Sequence, residues 1–150
     1  MKPWLAKWLI NLYPPLLIHR IAVRKVSKDY RSVQVRVHKS VLNRNLNGSI
    51  FGGTIFSSAD PFHALMYWQH LKQEGIETEV WLKQAQIRYL QPARTSLLLE
   101  FALSDTDVHD VKQQLMQFGK AERHHTTEII DSNGSLVAVV ESIIYLRKKR

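Results

Sequence analysis

The stretch from Asn45 to Leu71 constrains the fold more than any other part of the chain. It opens with turn material, since Asn43, Asn45, Asn47 and Gly48 crowd one short loop. Gly52 and Gly53 follow, and without a Cβ they let the backbone come close to a neighbour. The period then becomes helical. Ile55, Ala59, Phe62 and Met66 recur at spacings of three and four, an apolar stripe suited to burial against a sheet. The spacing predicts a helix over Gly53–Leu71. Its one acid, Asp60, sits beside the stripe, where a carboxylate is costly unless it has a partner or a task.

Two readings of Asp60 stand at this point. In one, Asp60 is the N-cap of a helix that begins at Pro61. In the other, the helix begins near Gly53 and bends at Pro61, which has no N–H to give.

The strand signals lie on both sides. Leu16–Arg24 reads as an apolar lead into a strand, and Lys25–Arg31 as polar and turn-like. Val33, Val35 and Val37 alternate with Gln34, Arg36 and His38. From Thr78 to Gln91 the period is two but its register is imperfect, which predicts a bulge. Thr95–Leu103 is a β-rich run, and Asp105–Gln117 reads as a polar helix with an acidic start. Two more strands, Ala121–Ile130 and Leu136–Leu146, flank a turn at Asp131–Gly134. One helix cannot cover six strands on both faces. A strongly curved antiparallel sheet wrapped around the Gly53–Leu71 helix can, which makes the fold class α+β.

At 150 residues one domain is expected, spanning 1–150. Trp4, Leu5, Trp8, Leu9 and Leu12 mark a short amphipathic helix over about 3–13, read as docked on the domain rather than on a membrane surface. Lys7 and Asn11 interrupt its apolar run, and no small-x-small cleavage site follows, so it does not read as a signal peptide. Pro14 and Pro15 are expected to end this helix. No stretch is long enough to span a bilayer, so no integral membrane contact is expected.

The chain has no cysteine, which excludes disulfides, thiolate metal sites and a cysteine nucleophile and is compatible with a cytoplasmic location. Its seven histidines form no metal-binding spacing, and no metal is expected. The net charge of +8 favours an anionic partner. The basic run Arg147–Arg150 lacks interleaved aromatics and reads as a solvated tail, so nucleic acid is not expected.

Asn45-x-x-Gly48-Ser49-x-Phe51-Gly52-Gly53, with Asp60 further on, resembles the active-site loop and central helix of hotdog-fold acyl-CoA thioesterases of the phenylacetate-pathway type. It is similar also to a group of uncharacterised thioesterase-like hotdog proteins that occur fused behind an acetyltransferase-like domain. That group carries the equivalents of Asn43/Asn45, Phe51-Gly52-Gly53 and Asp60-Pro61-Phe62. The likeness extends to Asn11–Pro15 and to Trp81-x-Lys83-x-Ala85-x-Ile87-Arg88-Tyr89-x-x-Pro92.

The resemblance implies hydrolysis of an acyl thioester, carried by coenzyme A or by acyl carrier protein, with no cofactor beyond the coenzyme A moiety of the substrate. Asp60 would activate water or attack the carbonyl, the N–H of Gly52 would stabilise the oxyanion, and Asn45 would hold the water or the thioester. Phe51 stands where the thioesterases have histidine, so one polar contact of their site is missing. Phe51, Gly53 and His63 are the remaining candidates around the substrate. Core or subunit packing is the alternative for His63, and an Asx-turn the alternative for Asn45. Arg88, Arg94 and Arg123 are candidates for the coenzyme A phosphates on charge alone. A homodimer is expected, with pairing of two dimers into a tetramer left open. A non-catalytic acyl-thioester-binding module of the same fold is the rival reading.

Overall fold

The computed structural model describes residues 1–149. The elements run α1 (Pro3–Asn11), α2 (Pro14–Ile18), β1 (Ile21–Val26), β2 (Ser32–Val37), α3 (Gly52–Ser57), α4 (Pro61–Gln73), β3 (Thr78–Tyr89), β4 (Leu97–Ala102), α5 (Asp105–Phe118), β5 (Lys120–Asp131) and β6 (Leu136–Lys148). All six strands form one antiparallel sheet in the order β1-β2-β4-β5-β6-β3. Within it α4 packs against β2, β3, β4 and β6, so the sheet curves around the helix. Phe62, Met66, Tyr67 and Leu71 of α4 are fully buried against Val33, Val35, Leu97, Leu99, Phe101, Ile144 and Leu146 of the strands. The phenyl rings of Phe62 and Phe101 lie 5.1 Å apart at the centre of this core.

The apolar stripe is buried over its whole length, Ile55 and Ala59 included, but it is not one helix. The backbone breaks between Ser57 and Pro61. Pro61 cannot donate to the carbonyl of Ser57, and its ring would crowd that carbonyl. Two hydroxyls bend the same turn, Ser57 Oγ donating to the carbonyl of Gly53 at 2.8 Å and Ser58 Oγ to that of Ile55 at 2.6 Å. The predicted Gly53–Leu71 helix is therefore corrected to two helices about a kink, running from Gly52 to Gln73.

The bulge falls inside β3. Leu82 faces Ile144 and Gln84 faces Ile143, which leaves Lys83 as the extra residue. The inward side changes there, from Val80 and Leu82 before it to Ala85 and Ile87 after it. In α5, Ser104 and Asp107 form a reciprocal capping box, and Val108, Val111 and Leu115 are buried while Met116 faces out.

At the N-terminal end the outcome differs from the sequence reading in two ways. Pro14 and Pro15 stop α1 but also start α2, where the first-turn positions need no N–H, so Leu16–Ile18 are helical and the strand expected from Leu16–Arg24 is corrected to Ile21–Val26. The rotation of α1 is the second difference. Asn11 pairs with Val23 of β1 like a strand residue, Nδ2 donating to its carbonyl at 3.1 Å and Oδ1 accepting from its N–H at 2.7 Å. That pairing turns Ala6 and Ile10 toward the domain and Trp4, Trp8 and Leu12 away from it. Among the described residues no helix is long and apolar enough to cross a membrane. The basic run at the end of the chain is in part a strand. Arg147 lies in β6 and pairs with Glu79 at 2.9 Å, whereas Arg150 lies outside the described residues.

Candidate active site

The kink presents Asp60. Its backbone keeps helical angles (φ −64°, ψ −60°) rather than the extended ones of an N-cap, and its side chain accepts no capping hydrogen bond. Among the described residues its carboxylate has no hydrogen bond and no ion pair. Instead it lines a cavity of about 510 Å³, within the usual range for small-molecule sites, whose other walls include Leu9, Tyr13, Leu65, Trp68 and Trp81. Asp60 is the only ionisable acid or base among these walls apart from the Tyr13 phenol. The carboxylate is open to solvent in the single chain, yet desolvation by its apolar neighbours raises its pKa above the ordinary 3.8.

Gly52 and Gly53 open α3, and no acceptor among the described residues takes their N–H groups. Both glycines stand close to an aromatic ring. A Cβ on Gly52 would come within 3.3 Å of the Tyr89 ring, and one on Gly53 would overlap the Phe51 ring. Phe51 is the residue before α3 and lies largely exposed over Gly53.

The asparagine loop is held by its own side chains. Asn45 Oδ1 accepts from the N–H groups of Asn47 and Ser49 at 3.0 and 3.1 Å, and its Nδ2 donates to Ser49 Oγ at 2.9 Å. The Asx-turn is thus present, and it leaves Asn45 a single free N–H. Asn43 is buried and ties the loop to the body of the protein, donating to the carbonyls of His19 and His38. The sequence places Asn43 in the loop, but its tie to the carbonyl of His19, 24 residues away, shows only in the fold.

Asn45, Gly52 and Gly53 line a second cavity, of about 560 Å³, together with Tyr89 and Pro92. It is not the cavity of Asp60. Asp60 and Gly52 line different cavities, whereas one thioester carbonyl needs both within about 3 Å. A single chain therefore does not bring its acid and its glycine N–H together. Arg94 follows the Pro92–Ala93 edge of the second cavity, and its carbonyl accepts from Lys39 Nζ at 2.8 Å. Arg88 and Arg94 are exposed and make no ion pair among the described residues.

His63 and Arg123 lie elsewhere. His63 is buried, stacked on His125 at 3.9 Å and edge-on to Phe101 at 5.1 Å, and it lines neither cavity. Burial, with the His125 charge as a lesser cause, pushes its pKa down to about 3. Tyr67 hydroxyl and His125 Nε2 share a hydrogen bond of 2.9 Å beside it. Arg123 is held by two acids of α5, Asp107 at 2.7 Å and Asp110 at 2.8 Å, so its guanidinium clamps α5 onto β5. No group of three metal-ligating side chains is present among the described residues.

Solved structures share this fold. A Pseudomonas aeruginosa protein of unknown function, described as a probable thioesterase, superposes with a TM-score of 0.86 at 19% identity over 99% of each chain. A thioesterase from Haemophilus influenzae gives 0.69 at 10% identity, over 99% of this chain and 92% of its own. The PaaI protein of the E. coli phenylacetic acid degradation operon gives 0.62 at 15%, over 98% and 93%. At such identities the likeness establishes the fold, the hotdog fold of a curved sheet around a central helix. No curated protein matches the chain. A family model does match, over residues 2–146, and the chain belongs to that family, a domain of unknown function named DUF4442.

Proposed function

We propose that this protein hydrolyses an acyl thioester of coenzyme A or of acyl carrier protein, with Asp60 as the acting carboxylate. The observation that carries the reading is the placement of Asp60. It is an unpartnered acid at a kink of the central helix, facing an apolar cavity where no cap or ion pair accounts for it. The solved hotdog proteins named as thioesterases support the reaction class.

In this reading Asp60 takes a proton from water as the water oxygen attacks the thioester carbonyl. The Gly52 N–H meets the developing oxyanion, the C–S bond breaks, and the proton goes to the departing thiol. The separation of the two cavities calls for a symmetric dimer, in which Asp60 of one copy faces Gly52 of the other across the interface. The acyl chain lies against Trp68 and Trp81, and Arg94 with Arg88 and Lys39 meets the phosphates of coenzyme A. Arg123 and His63 have no part in it, since the first is neutralised by two carboxylates and the second is stacked inside the core.

Two observations favour the rival, a module that binds acyl thioesters without cleaving them. Phe51 supplies no hydrogen bond, and the Asn45 amide is nearly spent on its own loop. A panel of acyl-CoA and acyl-carrier thioesters followed by free-thiol release, with calorimetric binding measured alongside, separates the two. Turnover lost in Asp60→Asn supports the hydrolase. Tight binding without thiol release would replace it with the binding module.

A further inference from the structure

The first two helices give the core few of their bulky residues. Ala6, the smallest side chain of α1, is fully buried, Ile10 and Leu16 reach the core, and Asn11 is engaged with β1. Most of the other large apolar residues are exposed: Trp4 and Trp8 are 62% and 61% exposed, Leu12 63%, and Ile18 of α2 64%. Leu17 is about half exposed, as is Tyr13 at the wall of the Asp60 cavity. Single exposed apolar residues are ordinary, but a continuous set on two successive helices marks an interaction surface.

Charge identifies the occupant. Residues 1–28 hold Lys2, Lys7, Arg20, Arg24, Lys25 and Lys28 and no aspartate or glutamate, the first acid being Asp29. Bulky apolar residues with two tryptophans and a tyrosine, set in a purely cationic segment, match the interface of an anionic bilayer. There the indole rings sit at headgroup depth and the cations meet lipid phosphates. A second copy is the competing occupant, and the absence of any acid from residues 1–28 leaves this segment no carboxylate of its own with which to pair those cations across a two-fold interface.

We propose that α1 and α2 form a peripheral docking surface for anionic phospholipid membranes, with Trp4, Trp8, Leu12 and Ile18 entering the headgroup layer. The docking does not rest on the thioesterase reading, since a chain inert toward thioesters would bind the membrane equally well.

The experiment is sedimentation of the full chain with vesicles of phosphatidylcholine containing about one third phosphatidylglycerol, compared with phosphatidylcholine alone. Expected is partition onto the anionic vesicles that weakens as salt is raised. Trp4→Ser with Trp8→Ser should lower it by roughly tenfold or more, and Lys2→Glu with Lys7→Glu by a similar factor, with circular dichroism unchanged in both. Trp4 and Trp8 are exposed on α1, Lys2 caps its start and Lys7 is half-buried within it, and circular dichroism verifies that the fold survives. Absence of partition, or equal partition of the tryptophan variant and the parent, would overturn the proposal. So would a variant that turns a dimer into a monomer while the parent ignores vesicles, which would give the face to a second copy.

Discussion

The hydroxyl of Tyr89 donates to the carbonyl of Gly52 at 2.9 Å, and its ring occupies the space that a side chain on Gly52 would need. The end of β3 thus holds the first residue of α3, the residue whose N–H is assigned to the oxyanion. The contact has energetic consequences that can be measured apart from turnover.

Gly52→Ala should displace the Tyr89 ring by a few tenths of an ångström and strain this bond, while Tyr89→Phe should remove the bond and keep the ring. Each is expected to cost about 1 kcal/mol in denaturant unfolding. The double variant should cost less than the sum, since one interaction cannot be lost twice. Strict additivity would show that the two residues are not coupled.

Asp60→Asn should lower turnover by about 10²-fold or more, the scale of a positioned acid or base. Stability should move the other way. The folded chain holds the Asp60 proton more tightly than the unfolded chain, whose value is near 3.8. Stability is therefore lost as pH rises from 3.8 through the folded value. An asparagine bears no charge at any pH, so the variant should have the higher Tm at neutral pH and no advantage below about pH 3.8. A purely structural acid predicts little change in Tm and normal turnover, since an asparagine caps a helix about as well as an aspartate.

His63 should make the fold acid-sensitive with the reverse sign. Its pKa is about 3 in the folded protein against an ordinary 6.5. Between these values the unfolded chain binds a proton that the folded chain refuses. Stability is present above pH 6.5 and lost as pH falls toward 3, by up to about 1.4 kcal/mol per pH unit for one proton. His63→Phe keeps a flat ring against His125 and Phe101. It should reduce the slope of unfolding free energy against pH near pH 5 by nearly one proton. An unchanged slope would place the acid sensitivity in other groups, such as His125.

Most of the sheet was readable from local pattern, from the alternation of Val33, Val35 and Val37 and from the imperfect register over Thr78–Gln91, where the bulge falls at Lys83. The buried stripe from Ile55 to Met66 was readable for the same reason. The first strand was blurred because Leu16–Ile18 carry the same apolar character in a helix. The kink was legible only as a choice, since Pro61 permits both a bend and a fresh start. Residues whose role is set by distant neighbours were not readable. His63 is placed by His125, and Arg123 is neutralised by Asp107 and Asp110. The rotation of α1 follows from one contact between Asn11 and Val23, and periodicity reveals which face is apolar without saying which face the domain will take. The two-cavity arrangement around Asp60 and Gly52 lay beyond reach for a related reason, because the distance between them matters only once the helix is built.

The pairing of Asn11 with Val23 also has a consequence for how copies can add to one another. The sheet ends in β1 on one side and β3 on the other. On the β1 side a side chain already occupies the N–H and carbonyl that a neighbouring strand would seek. Only β3 is left to accept a strand from outside. A body with one sticky border and one guarded border can join a twin through the sticky one, edge to edge, and a ribbon of strands added without end is opposed at the other border by one amide.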